Sequence, residues 1–166
     1  MGIDDLKKHF EKSVQVAQFD FGPNLAAPIR HRLKGVAGSA LSFVAAAAFK
    51  KNEVHQVLVF NDREEAAYFY NDLHNLISPN RVFFLPHSGK KPYEHSEDEI
   101  EDISPRKKEG ENGLMRAEVL NALNMRKRHF VIVTYAEALS ELVITKQNLV
   151  KNTLAINMGD ALSQDF

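Results

Sequence analysis

The spacing of hydrophobic and polar residues changes several times along the chain, and each change marks an element. Ile3, Leu6, Phe10, Val14 and Ala17 recur at helical spacing, so the chain is expected to open with an amphipathic helix. Residues 19–28 hold two prolines and a glycine and read as a linker. A short strand is expected to end near Lys34, followed by a glycine turn and a helix over about residues 39–50. Phe43, Val44, Ala46, Ala47 and Phe49 leave that helix apolar almost all round, as in a buried crossover helix. Val57, Leu58, Val59 and Phe60 form a continuous apolar run of the kind buried inside a parallel sheet. Asp62, with Glu65 three residues on, is a helix-start signature, and Ala66, Phe69, Tyr70, Leu73 and Ile77 then form one helical stripe.

Further strands are predicted over residues 81–85, ending at Pro86, and 130–133, ending at Thr134 and Tyr135. A helix over about 113–126 lies between them, and residues 153–156 suit a fifth strand. This alternation predicts an α/β fold, a parallel sheet flanked by helices with right-handed crossovers. The segment 87–112 is too long for a plain connector. It is acidic at Glu94, Glu97, Asp98, Glu99, Glu101 and Asp102, then basic at Arg106, Lys107 and Lys108, a composition that predicts disorder.

Composition narrows the function classes. The 166 residues suit one domain with a substantial core, and the net charge of −1 gives no whole-chain electrostatic case for nucleic-acid binding. With no cysteine, disulfide and thiolate chemistry are excluded. No apolar run approaches the ~20 residues of a membrane span, and the charged N-terminus does not read as a signal sequence.

The strongest chemical signal lies between Leu33 and Ser42. A phosphate loop needs Gly, four spacers, Gly, Lys, then Ser or Thr. Its backbone N–H groups cradle phosphates, its Lys reaches the β/γ-phosphates and its hydroxyl holds Mg²⁺. Gly35 and Ser42 stand in register, with Gly38 and Ser39 between them, but Ala40 replaces the second Gly and Leu41 replaces the Lys. These residues outline a vestigial phosphate loop, and no cofactor, metal or catalytic residue is expected in it. Gly38 and Ser39 before an apolar run also suit a plain strand-to-helix turn, with Ser39 as its cap. Ser39 lacks the glycine-flanked elbow of a hydrolase nucleophile. The run from Asp98 to Asp102 superficially resembles a helicase acidic box, but no apolar strand precedes it, so a solvated charge run is expected. None of the seven histidines (His9, His31, His55, His74, His87, His95 and His129) pairs with another at metal-binding spacing. Lys50 with Lys51, and Arg126 to Arg128, end predicted helices, where cations suit the dipole.

Several blocks carry a family resemblance. The segment from Leu33 to Ser42 resembles the first helicase motif of the excision-repair protein UvrB, with its Gly and Lys lost. Val59 to Ala66 lies where that family has its second conserved block. Leu85-Pro86, followed by Pro92-Tyr93-Glu94, resembles the segment after the third strand, and Val131 to Leu139 the next strand and turn. In this order, and with a dead phosphate loop, the chain resembles the N-terminal UvrB-like module of the bacterial transcription-repair coupling factor (Mfd) family over residues 30–166.

The resemblance implies a P-loop NTPase or helicase-lobe-like fold and a cytoplasmic, non-catalytic scaffold. Such a scaffold helps recruit nucleotide excision repair to RNA polymerase stalled at DNA damage. It implies residues 1–28 as N-terminal helix and linker, 29–157 as the UvrB-like domain, and 158–166 as a lead-in to a further domain. In that family the following domain contacts UvrA, and other domains contact RNA polymerase and DNA. ATP and Mg²⁺ belong to the motor domains. UvrB also carries an aromatic β-hairpin that clamps DNA, whereas the charged segment 87–112 offers only Tyr93, so clamping of that kind is not expected. The alternatives from the residues alone are a P-loop ATPase or nucleotide kinase with an atypical loop, and a stand-alone binding module.

Overall fold

The computed structural model describes residues 2–19, 30–52, 54–89, 103–125, 128–145 and 147–148. Three strands, β1 (Gln56–Phe60), β2 (Val82–Leu85) and β3 (Val131–Tyr135), form a small open parallel sheet in the order β1-β3-β2. On one side of β3, Gln56 lies opposite Val131 and Phe60 opposite Tyr135. On the other, Val82 lies opposite Val131 and Leu85 opposite Thr134. All five residues of β3 are buried.

Because successive side chains in a strand alternate between faces, β2 and β3 build two cores. Val82, Val131, Val133 and Tyr135 meet Ala66, Phe69 and Leu73 of α4 (Arg63–Leu76). Phe83, Leu85, Phe130 and Ile132 meet Val119 and Ala122 of α5 (Ile103–Met125) on the opposite face. The mixed α/β architecture with parallel strands is therefore as the periodicity predicts. So is the start of α4, where the Asp62 carboxylate accepts the Glu65 N–H at 2.8 Å and the buried stripe follows.

Four features differ from the sequence reading. The N-terminal helix is broken into α1 (Ile3–Glu11) and α2 (Val14–Ala17), because the Ser13 hydroxyl accepts the Val16 N–H and starts a new helix. Helix α5 begins ten residues earlier than expected, at Ile103 rather than near Gly113. Pro105 sits in its first turn, where a missing N–H costs nothing. Gly110 and Gly113 hid the helix, each costing ~1 kcal/mol relative to Ala. Residues 30–34 form no strand; they are exposed and irregular. Finally, β1 is a sheet edge with Val57 55% and Val59 52% exposed, not a buried interior strand. The predicted fifth strand (153–156), the acidic run 98–102, Tyr93 and the lead-in 158–166 lie outside the described residues.

A second helical layer forms around α3 (Ala40–Asn52), whose main partners are α1 and α4 rather than the strands. Val16 and Phe19 pack on Val44, Ala47 and Ala48, and Phe10 stacks on Phe43 with ring centroids 5.2 Å apart. Lys51, expected to serve the C-terminal dipole of its own helix, instead donates to the carbonyls of Val16, Ala17 and Phe19 at 3.4, 2.6 and 3.0 Å. It therefore places its cation at the C-terminal end of α2. A short α6 (Ala136–Ser140) follows β3 directly. Among the described residues, no helix is long and apolar enough to cross a membrane.

Leu73 is fully buried in the largest core cluster. Leu73→Ala should therefore lower the unfolding free energy by about 2–5 kcal/mol. Urea titration followed by circular dichroism measures this; a loss below about 1 kcal/mol would mean that α4 is not seated on the sheet.

Candidate functional site

The vestigial phosphate loop is a turn entered by irregular chain. Gly35 and Gly38 have φ of 74° and 55°, in the left-handed region that favours glycine. A Cβ at either would meet nothing within 4 Å, so the backbone conformation rather than space selects glycine there. The Ala40 N–H donates to the Ala37 carbonyl at 3.3 Å and the Phe43 N–H to the Ser39 carbonyl at 3.2 Å, so Ser39 sits at the start of α3. A working phosphate loop hangs from the C-terminal end of a buried strand. Here the residues before Gly35 belong to no sheet.

The expected site residues also part company in burial. Gly35, Gly38, Ser39 and Leu41 are exposed and Ala40 is half-buried, but Ser42 is buried, at 1% exposure. Its hydroxyl donates to the Asp72 carboxylate of α4 at 2.9 Å. The oxygen that would ligate Mg²⁺ in a working loop thus bridges two helices, and Leu41 supplies no charge. Arg32 and Lys34 line a groove of about 430 Å³ with His9 and His31, but both precede the turn. They do not stand where the motif's Lys extends from the first helical turn.

A second polar cluster, which no motif announced, lies at the C-terminal ends of β2 and β3. Arg116 of α5, 7% exposed, donates through Nη1 to the Pro86 carbonyl at 2.7 Å and the Ala138 carbonyl at 3.4 Å. The same nitrogen lies 3.1 Å from Glu141 Oε2. That carboxylate oxygen also accepts the Ser88 N–H at 2.8 Å and lies 3.9 Å from His87 Nε2. His87 donates its backbone N–H to the Tyr135 hydroxyl at 2.9 Å and accepts the Gly89 N–H on Nδ1 at 3.0 Å. Thr134, fully buried, donates its hydroxyl to the Leu85 carbonyl at 2.9 Å.

Crevices at strand C-termini are where α/β proteins bind ligands. In this one the named donors are spent on protein acceptors. The cluster fastens the loop after β2 to α5 and to the residues after α6. The signal in the sequence was an arginine on the buried stripe of α5, with Asn112 and Val119.

No family model, curated protein or solved structure matches the chain.

Burial raises the Glu141 pKa, but hydrogen bonds from Ser88 and the charges of Arg116 and His87 outweigh it and hold the carboxyl below its ordinary 4.5. The folded chain therefore keeps this charge at lower pH than the unfolded chain does. The resulting stability is present above about 4.5 and is lost as pH falls through the lowered value. Glu141→Gln should lower the melting temperature at pH 7, and the gap to the native chain should shrink at pH 3. A gap independent of pH would mean that the charge contributes nothing.

Proposed function

We propose that this chain is a non-catalytic UvrB-like scaffold module, with a P-loop helicase-lobe-like fold, of a cytoplasmic transcription-repair coupling factor. Its role is to help present excision-repair proteins to RNA polymerase stalled at DNA damage. UvrA is engaged through a following domain, RNA polymerase and DNA through others, and ATP with Mg²⁺ is used by the motor domains. The order of the UvrB-like blocks supports the family reading. The non-catalytic part rests on one observation: Ser42 is committed to Asp72 while Leu41 stands where a cation is required.

One missing charge-assisted contact to phosphate costs ~1.5–3 kcal/mol, or about one to two decades of affinity. Unlike Gly, Ala40 also resists the backbone shape of a phosphate cradle.

Two measurements test this. Calorimetry with ATP and Mg²⁺ on the chain should show no saturable binding at micromolar concentrations. The full-length gene product should release stalled RNA polymerase from DNA in an ATP-dependent way, at a rate unchanged by Leu41→Ala. Micromolar ATP binding, with turnover abolished by Ser42→Ala, would make the chain a P-loop ATPase or nucleotide kinase instead. Absence of polymerase release would remove the coupling-factor assignment.

A further inference from the structure

Helix α3 overhangs the sheet. Its packing partners are α1 and α4, and α4 already covers the strands on that face. Below the overhang runs a groove of about 530 Å³ between α3 and the free edge of β1. Leu41, Val44, Ala45 and Ala48, at the i, i+3, i+4, i+7 spacing of one helical face, line it above. Leu58 and Gln56 line it from β1. Gln56 Nε2 is buried and makes no hydrogen bond among the described residues. A buried amide donor without an acceptor costs about 1–3 kcal/mol, and a strand edge beside it offers further unpaired backbone groups. Apolar roof, open edge and orphaned donor together describe an empty strand position.

We propose that residues 153–156 of this chain fill that position as a fourth strand beside β1. They lie in the C-terminal stretch 149–166, outside the described residues. Their sequence, Thr153-Leu154-Ala155-Ile156 between Asn152 and Asn157, carries no charge and alternates bulky apolar with small or polar residues. That is the pattern of an edge strand with one covered face. Leu154 and Ile156 then point up into the α3 stripe, and Ala155 shares the open face with Val57 and Val59.

Reach is no obstacle. At ~3.3–3.6 Å per extended residue, residues 141–152 span on the order of 40 Å. Crossing from β3 past β1 takes two steps of ~4.8 Å, and returning along a strand takes roughly 17 Å. A backbone carbonyl of the incoming strand would accept from Gln56 Nε2.

The chain has no cysteine, so engineered pairs report without background. Val57→Cys/Ala155→Cys and Val59→Cys/Ala155→Cys, made in the full chain, sample both registers. Neighbouring strands bring Cα atoms within the 4.4–6.8 Å that a disulfide needs. Under mild oxidation one of the two should close into a disulfide within a monomer. Truncation after Asn148 should lower the melting temperature by about 5 °C or more and cause concentration-dependent self-association through the bared edge. Only intermolecular dimers from both pairs, matched by the single Val57→Cys and Val59→Cys variants, would give the position to a second copy and overturn the proposal. So would failure of both pairs to close with truncation leaving stability and mass unchanged, which would give the position to a different partner.

Discussion

The burial of β3 is the constraint on which the rest of the molecule depends. Val131 to Tyr135 are buried without exception, and the strand donates and accepts along both edges. A strand in that position must be apolar on both faces, and its one hydroxyl must find a partner; Thr134 finds the Leu85 carbonyl. Alternation then divides the neighbours. Val131 and Val133 seat α4, while Ile132 seats α5. Later attachments are indirect. Helix α3 reaches the sheet core through Phe49 and is joined to α4 by the Ser42–Asp72 bond. Helices α1 and α2 rest on α3 through Phe10, Val16, Phe19 and Lys51. Stability should therefore decline outward from β3, with the N-terminal layer opening before the sheet.

Features encoded by near neighbours were legible in the sequence. The Asp62 cap and the Ala66, Phe69, Leu73 stripe depend on spacings within one helix, and the strands announced themselves as apolar runs. The glycines at 35 and 38 marked a turn and do adopt left-handed conformations. Misreadings arose wherever the outcome depended on distant residues. An extended segment such as 30–34 becomes a strand only when a partner edge is beside it, and β3 leaves its free positions to β1 and β2. Val57 and Val59 read as interior because a run of β-branched residues does not show whether a helix covers it; α5 sits over β2 instead. Ser13 broke a helix that the apolar period alone would have continued.

The candidate sites divide in the same way. Positions 35 to 42 can be read as a phosphate-loop outline because the motif is contiguous. The fate of its Ser42 hydroxyl was invisible, because Asp72 lies thirty residues downstream. Arg116 and Glu141 meet across the ends of two strands, with partners contributed by the loop after β2, and no local pattern records such a meeting. Both clusters use groups that elsewhere bind ligands to tie one element to another. A turn with the outline of a nucleotide site here fixes the start of α3 against α4.

That last statement is the central claim, and a double-mutant cycle tests it most directly. Ser42→Ala, Asp72→Ala and the double variant are compared with the native chain by urea unfolding. A hydrogen bond to a carboxylate in a half-buried setting should appear as a coupling of about 1–2 kcal/mol. Additive losses, within about 0.3 kcal/mol, would show that the hydroxyl does not hold the helices together, and the turn would have to be explained by something it binds.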